Sequence, residues 1–170
     1  MADVSSRLDR NLLGDTAWNY GAFALMASTG VILNFFIAIQ FGVETLGIFN
    51  QIYAVYVVAA QLAVFGLHDS VQKHTAEHHG QGDERQLIAR SANLVALLIG
   101  VGVALTIYLA SPFIGRIADS ASVGHGIAWA APGLFFFALN KVQMGILNGD
   151  RRMRAFAIIQ GVRVIAILGF

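Results

Sequence analysis

Of 170 residues, 56% are hydrophobic and only 12% charged, roughly half the charge density of a soluble domain this size. A net charge of +1 offers no electrostatic footprint for nucleic acid, so none is expected as a partner. The absence of cysteine excludes disulfides, thiolate zinc sites and cysteine nucleophiles.

The apolar residues are gathered into blocks, and crossing the hydrocarbon core takes about 20 of them in a helix. Residues 1–17 hold three acids, two arginines and no apolar run of signal-peptide length. They read as a cytoplasmic N-terminal segment. The first span covers residues 18–41 and the second 46–67, and neither holds a charged residue. The intervening Phe41-Gly42-Val43-Glu44-Thr45 reads as a tight turn, which would make the pair an antiparallel hairpin. Residues 68–86 form a polar linker, and its His74-Thr75-Ala76-Glu77-His78-His79 puts two imidazoles at i and i+4. That spacing can hold zinc, but no third or fourth ligand is evident, so a solvated extension of the second span is the better reading.

A third span covers 87–110. Ser111-Pro112 then predicts a helix stop, with a short interfacial segment up to Val123. The fourth span, 124–147, carries Pro132-Gly133, which predicts a kink, and a GxxxG at Gly145 and Gly149 that would let helices approach closely. A basic turn, Arg151, Arg152 and Arg154, leads to a fifth span, 156–170, with small residues Ala157 and Gly161. The expected fold is therefore an all-α integral membrane protein of about five transmembrane helices. A soluble bundle is disfavoured because its helices would need a polar face.

Lys and Arg near the span ends set orientation. Arg7, Arg10, Lys73, Arg85, Arg90, Arg151, Arg152 and Arg154 fall on one side and Arg116 alone on the other. That bias places the N-terminus in the cytoplasm.

Polar groups within spans are functional candidates, because lipid offers them no partner. Lys141 lies eight residues before Gly149, a depth of about 12 Å, and Arg163 lies about 10 Å inside the fifth span. Two cations at matching depth would give a cavity a positive ring. Asn140, Lys141, Gln143 and Asn148 share one arc of the fourth span, and Gln160 shares a face with Arg163. Snorkelling to the interface is the alternative for both cations, and the amide neighbours favour the cavity. In the second span Asn50, Gln61 and His68, spaced by eleven and seven residues, return to one face as cavity wall or helix-to-helix bonding. No phosphate-binding glycine loop or hydrolase constellation is present, so neither a cofactor nor covalent catalysis is expected.

Two stretches carry a family resemblance. Leu46-Gly47-Ile48-Phe49-Asn50, running on to Gly66-Leu67-His68-Asp69-Ser70-Val71-Gln72-Lys73, is one. Asn140-Lys141-Val142-Gln143-Met144-Gly145-Ile146-Leu147-Asn148-Gly149, followed by Arg152-Met153-Arg154-Ala155-Phe156, is the other. From about Asn11 onward the chain resembles the polysaccharide (O-antigen type) flippases, of the superfamily that also holds lipid II flippases and multidrug exporters. The resemblance implies the N-terminal part of a bundle of twelve to fourteen helices around a central cavity, in the bacterial inner membrane. It implies transfer of an undecaprenyl-diphosphate-linked oligosaccharide from the cytoplasmic to the periplasmic leaflet. Membrane lipids and other polysaccharide assembly proteins are the further partners it implies. Lys141 and Arg163 are the positions that would meet the diphosphate. Since the fifth span is incomplete at Phe170, the chain is expected to be the front of such a transporter. A multidrug exporter would favour carboxylates in its spans, and none is seen here. The remaining alternatives are a small scaffold subunit and a membrane glycosyltransferase, which would need acids at a membrane face, with only Asp69, Glu77, Asp83 and Glu84 as candidates.

Overall fold

A computed structural model describes residues 2–78, 82–152, 155 and 157–162. It is all-α. Among the described residues four helices are delimited, in chain order α1 (Ala2–Val64), α2 (Leu67–Glu77), α3 (Gly82–Ile117) and α4 (Ala121–Gly149), and residues 157–162 are helical as well. Three of the helical stretches, Ala27–Glu77, Gly82–Ile117 and Ala121–Gly149, are long and apolar enough to cross a membrane. Most of their surface is apolar yet exposed, with Phe35, Ile39, Leu105, Leu109 and Phe113 all more than half accessible. In water that would be unsupportable, and in a bilayer it is the lipid-facing surface. The chain is thus a multi-pass membrane protein.

The first two expected spans lie within one helical run. In place of the five-residue turn there is a single non-helical residue, Gly42 (φ 86°, ψ 165°), which only glycine adopts freely. Thr45 Oγ1 donates to the Phe41 carbonyl at 2.9 Å across this break, returning a hydrogen bond to backbone that the kink disturbs. Helix is already present at Ala2, so residues 2–17 are helical too.

A second break, Phe65 (φ 43°) and Gly66 (φ 73°), separates α1 from α2. Part of the expected polar linker is therefore a helix, seated on α4 by Val71 and Thr75, both buried. The close approach that GxxxG promised is used here. A Cβ at Gly145 would meet the His68 carbonyl oxygen at 2.6 Å, and one at Gly149 would meet the Gln72 carbonyl oxygen at 2.7 Å.

The expected stop at Ser111-Pro112 is absent, and α3 runs on through Pro112 to Ile117. Proline removes the N–H that would bond the Tyr108 carbonyl. Ser111 Oγ takes over that carbonyl at 2.7 Å, so the helix continues without an orphaned acceptor.

α3 and α4 form an antiparallel hairpin. Ser120 caps α4, its side chain accepting from Val123 N. Every buried residue of α3 is small: Ala92, Ala96, Gly100, Ser111 and Gly115. Gly124, Ala131, Ala138 and Gly145, buried and recurring every seven residues along α4, continue this small-residue pattern, and Gly124 and Ala138 are where α3 comes closest. At the closest points Gly115 faces Gly124 and Gly100 faces Phe135 and Ala138. Small-on-small contact lets the backbones pack without help from a hydrophobic effect that lipid does not supply. α4 is the hub, with α1, α2 and α3 all packed against it. One cluster joins Val71, Ala92, Ala96, Val142 and Ile146, and a second joins Ala59, Ala60 and Leu134 with Tyr56 and Phe137 beside them.

Candidate functional site

The polar arc of α4 is divided by what packs on each side. Lys141, partly exposed, places Nζ 5.6 Å from the centroid of the Phe137 ring. Phe137 in turn meets Tyr56 of α1 edge-on, with ring centroids 6.4 Å apart. Phe137 lies one turn N-terminal to Lys141, away from the basic end of the hairpin. The ammonium therefore leans inward along the helix, opposite to the direction that snorkelling from this position would take. A cation over a ring face is attracted by about 0.5–2 kcal/mol, depending on desolvation. No described carboxylate forms an ion pair with Lys141.

Gln143 turns to the other side. Its Nε2 donates to Asn93 Oδ1 of α3 at 2.8 Å, and Asn93 Nδ2 donates to the Ala89 carbonyl at 2.8 Å. The pair forms a polar bridge across the α3–α4 seam. Asn140 is exposed, and Asn148 uses its carbonyl to accept from the Arg151 N–H at 3.0 Å. Gln160 is partly buried, and its Oε1 has no hydrogen-bond partner among the described residues. Arg163 and most of the fifth span lie outside the described residues, as does Arg154.

The three-residue stripe is not one stripe. Asn50 and Gln61 are exposed on α1, whereas His68 belongs to α2 beyond the Phe65–Gly66 break. His68 Nε2 lies 3.3 Å from Asp69 Oδ1, and its Nδ1 is buried without a partner among the described residues. Of the histidine cluster, His74 faces Glu77 and His78 faces Glu84, each at 3.3 Å, while His79 is outside the described residues.

Charge is unevenly placed. The end where α2 lies, α3 begins and α4 finishes carries Lys73, Arg85, Arg90, Arg151 and Arg152, and the α3–α4 turn carries Arg116. At the basic end Arg85 binds both carboxylate oxygens of Asp150, Nε reaching Oδ1 at 2.8 Å and an Nη reaching Oδ2. Neither partner has a local signal in the sequence. Asn93 does have one, being an amide inside a span.

Among the described residues, a cavity of about 620 Å³ opens at the opposite end, beside the α3–α4 turn. Tyr108, Arg116, Asp119 and His125 are among its lining residues, and none of the sequence-derived candidates is. No protein-family model, curated protein or solved structure matches the chain.

Proposed function

We propose that the chain is part of a membrane transporter that moves a lipid-diphosphate-linked oligosaccharide from the cytoplasmic to the periplasmic leaflet for polysaccharide assembly, without covalent chemistry. Lys141 carries this reading. Its ammonium is turned inward over Phe137, it has no ion pair among the described residues, and it stands on an otherwise uncharged stretch of α4. A cation in that setting costs about 3 kcal/mol to insert, and an anionic substrate would offset that cost. A diphosphate supplies the strongest complement, through charge-assisted hydrogen bonds that shorten and strengthen away from water. The flippase resemblance of residues 140–156 supports the same assignment, with Arg163 as the second cation.

In this mechanism the diphosphate enters from the cytoplasmic side, the side of the basic helix ends, and reaches Lys141 about 12 Å along α4. Rocking of helix bundles then presents it outward. The α3–α4 hairpin, closed by small residues, moves as one unit. A multidrug exporter of the same superfamily is the competing reading, and it would call for carboxylates where Lys141 stands.

The test is delivery of polysaccharide to the surface of cells lacking their own flippase, using the complete reading frame. Lys141→Gln should abolish most delivery at unchanged protein level, and Lys141→Arg should retain it. Full delivery with Lys141→Gln would remove the basis for the assignment.

A further inference from the structure

The cavity at the α3–α4 turn has the chemistry of a zwitterionic lipid site. At its mouth it carries one permanent cation, Arg116, one carboxylate, Asp119, and one imidazole, His125. Arg116 and Asp119 lie on adjacent turns, both exposed, yet they form no ion pair with each other or with any described residue. The His125 ring is oriented by its Nδ1–H, which donates to the Ala121 carbonyl at 2.9 Å and leaves Nε2 as an acceptor for a ligand's N–H. Away from the turn the lining becomes apolar along the helices, with Leu109, Pro112 and Ala128. Leu109 and Tyr108 are both exposed on the lipid-facing surface. Trp129, two turns into α4, is 85% exposed beside Ala128.

From this arrangement we infer that the cavity binds a phosphoethanolamine-type phospholipid. The phosphodiester sits at Arg116, the primary ammonium at Asp119 and His125 Nε2, and an acyl chain runs along Leu109 and Ala128. A purely anionic headgroup would leave Asp119 facing a like charge, and a purely cationic one would do the same to Arg116. Only a headgroup bearing both charges satisfies both side chains. The inference rests on the hairpin's crossing of a membrane and is independent of what the protein transports.

The experiment is native mass spectrometry of the full chain released from detergent micelles doped with phosphatidylethanolamine or phosphatidylglycerol. Phosphatidylethanolamine should be retained over phosphatidylglycerol. Arg116→Gln should lower retention of both lipids about tenfold, as expected for one charge-assisted bond. Asp119→Asn should lower only phosphatidylethanolamine, to the level of phosphatidylglycerol. Both residues are exposed, so neither substitution disturbs packing. Free phosphoethanolamine at matching concentration should fail to displace the lipid. Equal retention of the two lipids by the unmodified chain, or no change with Asp119→Asn, would overturn the assignment. Displacement by the free headgroup would overturn the lipid as its source.

Discussion

Arg85, at the start of α3, holds Asp150, just past the end of α4, through both carboxylate oxygens across a sequence separation of 65. The Asp150 side chain is 6% exposed and that of Arg85 39%, so the two are unequal partners. Removing the arginine strands a buried carboxylate, whereas removing the carboxylate leaves a guanidinium that can reach water. Arg85→Gln should therefore cost about 3 kcal/mol and Asp150→Asn only about 1 kcal/mol. Thermal unfolding of the purified protein in detergent measures both, and the double variant should recover part of the Arg85→Gln loss. Equal effects of the two single substitutions would show that burial of Asp150 is not what matters.

The Ser111 hydroxyl substitutes for the N–H that Pro112 lacks. Ser111→Ala should cost about 1–2 kcal/mol by leaving the Tyr108 carbonyl unbonded. Adding Pro112→Ala restores an N–H at the right position, so the double variant should be more stable than Ser111→Ala alone. If the second substitution brings no recovery in the same unfolding measurement, the hydroxyl is not replacing that bond.

Gly145 and Gly149 are the points where α2 touches α4. Gly145→Ala should displace α2 and cost about 1–3 kcal/mol, because its Cβ would collide with backbone. Gly102→Ala, with open space around it, should be neutral or slightly stabilising through helix propensity. Protease sensitivity of α2 should rise for the first and stay unchanged for the second.

These three sites show how far sequence reading reached. The apolar blocks marked α3 and α4 because lipid demands long runs of uncharged residues, and GxxxG marked a close approach. Its partner was invisible: α2 reads as polar linker, and only Val71 and Thr75 turn inward. Ser111-Pro112 was read as a stop because proline's missing donor is a local fact, while its repair depends on a side-chain rotamer. Gly42 reads as part of a turn, since a glycine two residues before a glutamate looks the same whether the chain loops or only kinks. Lys141 was legible as a cation inside a span, but not the inward lean of its ammonium over Phe137. Arg85 and Asp150 are brought together only by the register of the hairpin, which no local pattern encodes.

Orientation is directly measurable because the chain has no native cysteine. Lys73→Cys, on α2, and Ser122→Cys, near the α3–α4 turn, both fall at exposed positions. A membrane-impermeant thiol reagent added outside spheroplasts should label Ser122→Cys and spare Lys73→Cys until the membrane is opened. The reverse pattern would invert the topology and place the zwitterionic site in the cytoplasm.

The most direct test of transport is leaflet transfer in proteoliposomes reconstituted with the product of the complete reading frame. A fluorescent lipid-diphosphate oligosaccharide should cross with the unmodified protein and with Lys141→Arg, and be slowed at least about tenfold by Lys141→Gln. A lipophilic cationic dye should not cross. Transfer of the dye, or transfer of the diphosphate lipid that is indifferent to Lys141→Gln, would contradict the assignment.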